Sequence, residues 1–197
     1  MAEPPPGLRE RKKAVTRLVL RERALELFRR QGFEQTTVAQ IAAAAEVSEP
    51  TFFRYYPSKV AVALAPIADG IDLAITAIED RPAGEPPLAA CIAVAEMASA
   101  VGLTPKPEAA SDLRRLREST PLRSGVVQLF DDAADRLTLD FSRRLDVSRD
   151  EPVARQTAAA VMGTILAVFR RWVDDPDGPD LARAAADGFR RLQQGLH

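Results

Sequence analysis

The sequence predicts an all-α fold, a small N-terminal bundle of three helices followed by a larger helical domain. Three observations carry this. Apolar residues recur at helical spacing along nearly the whole chain. Ser or Thr stands just before several of these runs, and Gly or Pro just after them. No window shows the apolar–polar alternation of a strand. With 197 residues, 46% hydrophobic and 28% charged, the chain has the balance of a globular protein able to hold one large or two small domains.

Residues 1–7 include three consecutive prolines and are read as a disordered tip. Leu20, Ala24, Leu27 and Phe28 then form one apolar stripe of a first helix, which Gly32 ends. Thr36 and Thr37 are placed to cap a second helix striped by Val38, Ile41, Ala42 and Ala45. Ser48 caps a third, from Glu49 to about Tyr56, with Pro50 in its first turn and Pro57 after its end. Ser58 opens a long fourth helix to about Asp80, bent at Pro66, the one element expected to join the two halves of the molecule. Helices follow over 87–101, 108–118, 121–145, 150–173 and 180–192, separated by proline-rich joints. The resulting division is 1–7, 8–62 and 63–197.

Several functions are disfavoured. The single histidine is His197, at the end of the sequence, where nothing holds it as a base or ligand. The one cysteine, Cys91, allows no internal disulfide and reads as a small core hydrophobe. No His, Cys or carboxylate cluster has metal-ligand spacing, and no glycine-rich loop could cradle a phosphate. No enzyme, no cofactor and no metal are expected. No run of about 18 apolar residues is free of charge, so no membrane span is expected and the protein is read as cytoplasmic.

The charge is unevenly placed. Residues 1–59 hold 11 basic and 7 acidic groups, against 16 and 21 in the remainder, within a net of −1. Seven of the basic groups fall between Arg9 and Arg23, as expected of an end that faces a polyanion, although a solvated helix face would look the same. Two short helices with a tight turn, over 37–56, make a helix-turn-helix, whose second helix can enter the major groove of DNA. Val38, Ile41, Ala42, Val47 and Phe52 would hold it together. The candidate DNA-binding residues are Arg11, Lys12, Lys13, Thr37, Ser48, Glu49, Thr51, Arg54, Tyr55 and Lys59. Their hydroxyl, phenol, guanidinium and ammonium groups are good phosphate partners. The alternative is a helical adaptor that binds no DNA, which would keep the apolar stripes but not need these polar groups at these spacings.

The residues Ala24-Leu-Glu-Leu-Phe28, Gly32-Phe33, Thr36-Thr37-Val38, Ile41-Ala42, Val47-Ser48, Thr51-Phe-Phe-Arg-Tyr-Tyr56 and Lys59 together resemble the DNA-binding domain of the TetR family, over about residues 8–62. The likeness is greatest to its actinobacterial members. Two positions depart from the pattern. Glu46 stands where glycine is usual, a strain of about 1 kcal/mol if the turn needs a positive φ. Glu49 opens the third helix, where it can complement the helix dipole or accept from a cytosine amine.

The resemblance implies a ligand-responsive repressor that binds a palindromic double-stranded operator as a homodimer. It also implies that the last two helices pair with their symmetry mates, through Val161, Val168, Trp172, Ala184, Ala185, Gly188 and Leu192. A pocket among the middle helices is implied too, with Met97, Phe130 and Phe169 as wall residues and Arg114 or Arg117 facing an acidic group. Its occupant would be a small hydrophobic effector, lipid-like or an acyl-CoA.

Overall fold

The structure is a computed structural model that describes residues 7–103, 105, 110, 114, 119–175, 177–178 and 180–195. The described residues contain helices and connecting segments and no strand. In order, the helices are α1 (Leu8–Gln31), α2 (Val38–Ala44), α3 (Glu49–Tyr55), α4 (Lys59–Glu79), α5 (Pro87–Ala100), α6 (Thr120–Leu145), α7 (Pro152–Asp174) and α8 (Leu181–Gln194). The expected tip over 1–7, all but Gly7, and most of the short helix expected over 108–118 lie outside the described residues.

The caps are those the sequence implied. Thr37 and Ser48 accept from the backbone N–H groups of Gln40 and Thr51, each at 3.2 Å. Gln40 returns the contact by accepting from the Thr37 N–H at 2.9 Å, which completes a capping box. Gly32 closes α1 with φ +86°. Helix α4 runs unbroken through the exposed Pro66.

The chain forms two units. One runs to Pro66 and takes in the segment ending at Gly125; the other takes 67–115 and everything from Val126 onward. This division follows Pro66, so α4 contributes to both units. The start of α6 also belongs to the first. Gly125 explains why: a Cβ there would stand 2.7 Å from Val60 Cγ1 and 2.8 Å from Leu64 Cδ1, so its missing side chain lets α6 lie close on α4. Ser119, just before α6, also donates to the Glu34 carboxylate at 2.7 Å.

In the first unit Leu20, Ala24, Phe28, Ile41, Ala42, Phe52 and Tyr56 are buried, while Val38 and Val47 are half-buried. The second unit is built on a larger apolar cluster that includes Ile75, Ile78, Val94, Phe130, Leu137, Phe141, Val161 and Phe189. Two stretches, Glu49–Glu79 and Pro152–Asp174, are long and apolar enough to cross a membrane by composition. Both supply residues to these cores, as helices of a folded domain do.

Candidate nucleic-acid interface

The turn between α2 and α3 sets the angle of the second helix. The Glu46 N–H donates to Ala43 O at 3.1 Å and the Val47 N–H to Ala42 O at 2.9 Å, which is a Schellman closure. Such a closure needs a left-handed residue, and Glu46 takes it with φ 55°. The glutamate therefore occupies the conformation that glycine adopts without strain.

Beyond the turn, α3 keeps Phe52 in the core and leaves Glu49, Pro50, Phe53 and Arg54 exposed. Thr51 and Tyr55 are half-buried. The Thr51 hydroxyl lies 2.9 Å from that of Ser48, so these two groups share one hydrogen. The Arg54 guanidinium lies over the Tyr55 ring, 5.2 Å from its centre. The Tyr55 phenol is held below its ordinary value of 10.0, first by its hydrogen bond with Arg54, then by Thr16 and the charges of Arg54 and Lys13.

These groups form the wall of a groove of about 850 Å³, which is lined by Arg9, Lys12, Lys13 and Thr16 of α1, by Arg54 and Tyr55 of α3, and by Glu10. Four residues read from the sequence as DNA-binding thus converge: Lys12, Lys13, Arg54 and Tyr55. The basic run is not a loose arm, because Arg11, Lys12 and Lys13 are already helical. Arg11 is exposed beside the groove without lining it. Thr37, Ser48 and Glu49 stand exposed at the starts of α2 and α3.

Lys59, at the start of α4, makes contacts within the protomer. Its Nζ donates to Phe33 O at 2.7 Å, to Thr36 O at 2.8 Å and, more weakly, to Glu34 O at 3.5 Å, and it lies 4.3 Å from the centre of the Phe33 ring. Two close hydrogen bonds thus tie the half-buried ammonium to the loop after α1. Tyr56 is a second fastening, its hydroxyl donating to Arg17 O at 3.1 Å. The sequence reading passed over Arg9 and Thr16, which line the groove, and Phe53, which stands exposed on α3. For Phe53 the signal was available: of two adjacent phenylalanines on a helix, about 100° apart, only one can point squarely into a small core.

The second unit distributes its predicted residues. Met97 is 53% exposed, while Phe130 is 5% exposed and belongs to the main core. Phe169 packs against a smaller cluster around Trp172, with ring centres 6.2 Å apart. Arg117 lies outside the described residues. Arg114 donates to Asp174 O at 3.3 Å. A pocket of about 200 Å³ between α7 and α8 is lined by Val168, Trp172 and Ala184 with Arg171, Asp187 and Arg191. Small-molecule sites usually hold about 300–1,000 Å³.

Of the residues assigned to a dimer interface, Val161, Trp172, Ala185 and Gly188 are buried within the protomer, and Val168, Ala184 and Leu192 are half-buried. Gly188 serves an internal contact, since a Cβ there would stand 2.5 Å from Thr164 Cγ2. Cys91 is buried, and that burial pushes its thiol up to about 12, so it stays protonated and unreactive. Among the described residues no cluster of His, Cys and carboxylates could hold a metal ion.

Residues 20–65, which carry the helix-turn-helix, match the family described as bacterial regulatory proteins, tetR family, and residues 93–197 match the MftR C-terminal domain. The chain belongs to the TetR family. This is a family of transcriptional regulators, not of enzymes. Over 85 residues the chain is 55% identical to the HTH-type transcriptional regulator TcmR of Streptomyces glaucescens, a stretch that is 43% of this chain and 38% of that relative's length.

Solved structures share the fold over almost the whole chain. FadR of Thermus thermophilus, a repressor in complex with lauroyl-CoA, superposes with a TM-score of 0.55 at 24% identity, over 92% of this chain and 95% of its own. FadR of Bacillus subtilis, in complex with stearoyl-CoA, does so with a TM-score of 0.54 at 16% identity, over 91% and 99%.

Proposed function

We propose that this chain is a ligand-responsive transcriptional repressor, acting in the cytoplasm, that binds a palindromic operator as a homodimer. Helix α3 enters the major groove, and the groove between α1 and α3 lies against the phosphate backbone. The observation that carries this reading is the convergence of Lys12, Lys13, Arg54 and Tyr55 on one groove beside a capped helix-turn-helix. An adaptor that binds no DNA would have no use for four such groups at one place. Arg11, Thr37, Ser48, Glu49 and Thr51 are assigned to the same surface, and Lys59 to its internal support. A small hydrophobic effector for the second unit is suggested by the acyl-CoA-bound relatives.

The test is duplex binding as a function of salt, since each phosphate neutralised contributes about 0.9 to the slope of log affinity against log salt. The wild type is expected to show a slope of several units. The double variant Lys13→Ala/Arg54→Ala, which removes two cations from each protomer of the dimer, is expected to flatten it by about 3.6 without changing the fold. A salt-independent wild type would rule out the backbone contacts.

A further inference from the structure

Helix α3 buries one phenylalanine and offers the other to solvent. Phe52 is fully buried and Phe53 is 50% exposed. The exposed ring is held in place, because it meets the Phe52 ring edge-on with centres 5.4 Å apart and planes at 89°. A single exposed apolar side chain is ordinary on a protein surface. Phe53 differs in where it stands. Pro50 lies one turn before it and Arg54 directly after it, and all three are exposed on the side of α3 that its core contacts leave unused. The same helix end borders the basic groove, so any partner meeting this face must be polyanionic as well as apolar at one point.

Phe53 has no polar atom in its side chain, so it can neither donate to a phosphate nor pair with a base edge. The major groove of DNA offers one apolar group to such a ring, the C5-methyl of thymine. We propose that Phe53 reads a thymine in each half-site by packing its ring on that methyl, with Pro50 extending the apolar surface. Phe53 is then a specificity-determining residue, while the groove of Lys12, Lys13, Arg54 and Tyr55 positions the helix. The inference rests on the DNA-binding function proposed above.

The test uses the full chain. Bound duplexes are first selected from a random pool; each preferred thymine is then replaced singly by deoxyuridine, which removes only the methyl group. At one thymine of the half-site the replacement is expected to weaken wild-type binding about fourfold, the factor that corresponds to about 0.8 kcal/mol for one buried methyl. The Phe53→Ala variant is expected to lose that penalty, with a change of less than about twofold, and Phe53→Leu to keep part of it. Circular dichroism checks that both variants are folded.

Equal deoxyuridine penalties in the wild type and Phe53→Ala at every position would overturn the inference. So would a selected site without a preferred thymine, or a Phe53→Ala variant weakened alike on all sequences. Each of these leaves the DNA-binding function standing. A wild type that binds no duplex overturns both.

Discussion

The two units of this regulator are fastened by different means. The contacts that shape the helix-turn-helix are mostly local: Thr37 with Gln40 and Ser48 with Thr51, three positions apart in each case. Lys59 and Tyr56 tie it across longer stretches of chain, and both end on backbone carbonyls. In the second unit, guanidinium groups make long-range ties across its helices. Arg136 spans 57 residues to the Glu79 carboxylate. Arg144, whose side chain is 1% exposed, pairs with Asp140 at 2.5 Å and donates to the carbonyls of Ile78 and Pro82 where α4 ends.

The difference follows from size and task. A small unit that must keep its cations on the surface for a polyanion shapes itself with neutral caps. A larger unit has enough apolar core to enclose an ion pair and the carbonyls it satisfies.

The sharpest way to break this contrast is at Arg144. Arg144→Ala leaves Asp140, itself 5% exposed, without its buried partner and removes the guanidinium that bonds the carbonyls of Ile78 and Pro82. A loss of about 3–5 kcal/mol is expected in chemical denaturation. A loss below about 1 kcal/mol would mean that the pair does not hold the second unit together.

Lys59 tests the first unit. Lys59→Met keeps the length of the side chain and removes the donors to Phe33 O and Thr36 O, with an expected loss of about 2 kcal/mol in a urea titration. If Lys59 instead met a phosphate, stability would hold and the salt slope of DNA binding would fall by about 1.8, one phosphate for each protomer. The two outcomes separate support from contact.

The turn should respond in the opposite direction. Glu46→Gly relieves a left-handed glutamate with φ 55° and is expected to raise stability by about 1 kcal/mol, read from the denaturation midpoint. No gain would mean that the carboxylate makes up for its backbone strain.

The smallest effect is expected from acid. Hydrogen bonds from Arg136 hold the Glu79 carboxyl below its ordinary value of 4.5. The folded state therefore takes up this proton less readily than the unfolded chain. The pair's stabilisation is complete above about pH 4.5 and is lost as the pH falls through the lowered value. Because Arg136 and Glu79 are 36% and 28% exposed, the contribution stays below about 1 kcal/mol. Arg136→Met should flatten the decline in stability below pH 4.5, as measured by denaturation at a series of pH values.

The sequence by itself determined the helices, their caps and the turn that carries Glu46. Each depends on residues within about four positions of one another, and that short range is written in the order of the chain. The same holds for the basic character of α1 and for the groups that could meet a phosphate. Only the tertiary structure decided which of them do so together. The rotation of α3 on its neighbours turned Phe52 inward and Phe53 outward, and brought Tyr55 to Thr16 of α1. The loop after α1, more than 20 residues before Lys59, supplies the carbonyls that hold its ammonium. Gly188, which the spacing marks only as a point of close approach, meets Thr164 within the protomer. Spacing along a helix states which residues share a face; it does not state what that face meets, because the partner lies on another element whose position is set by packing.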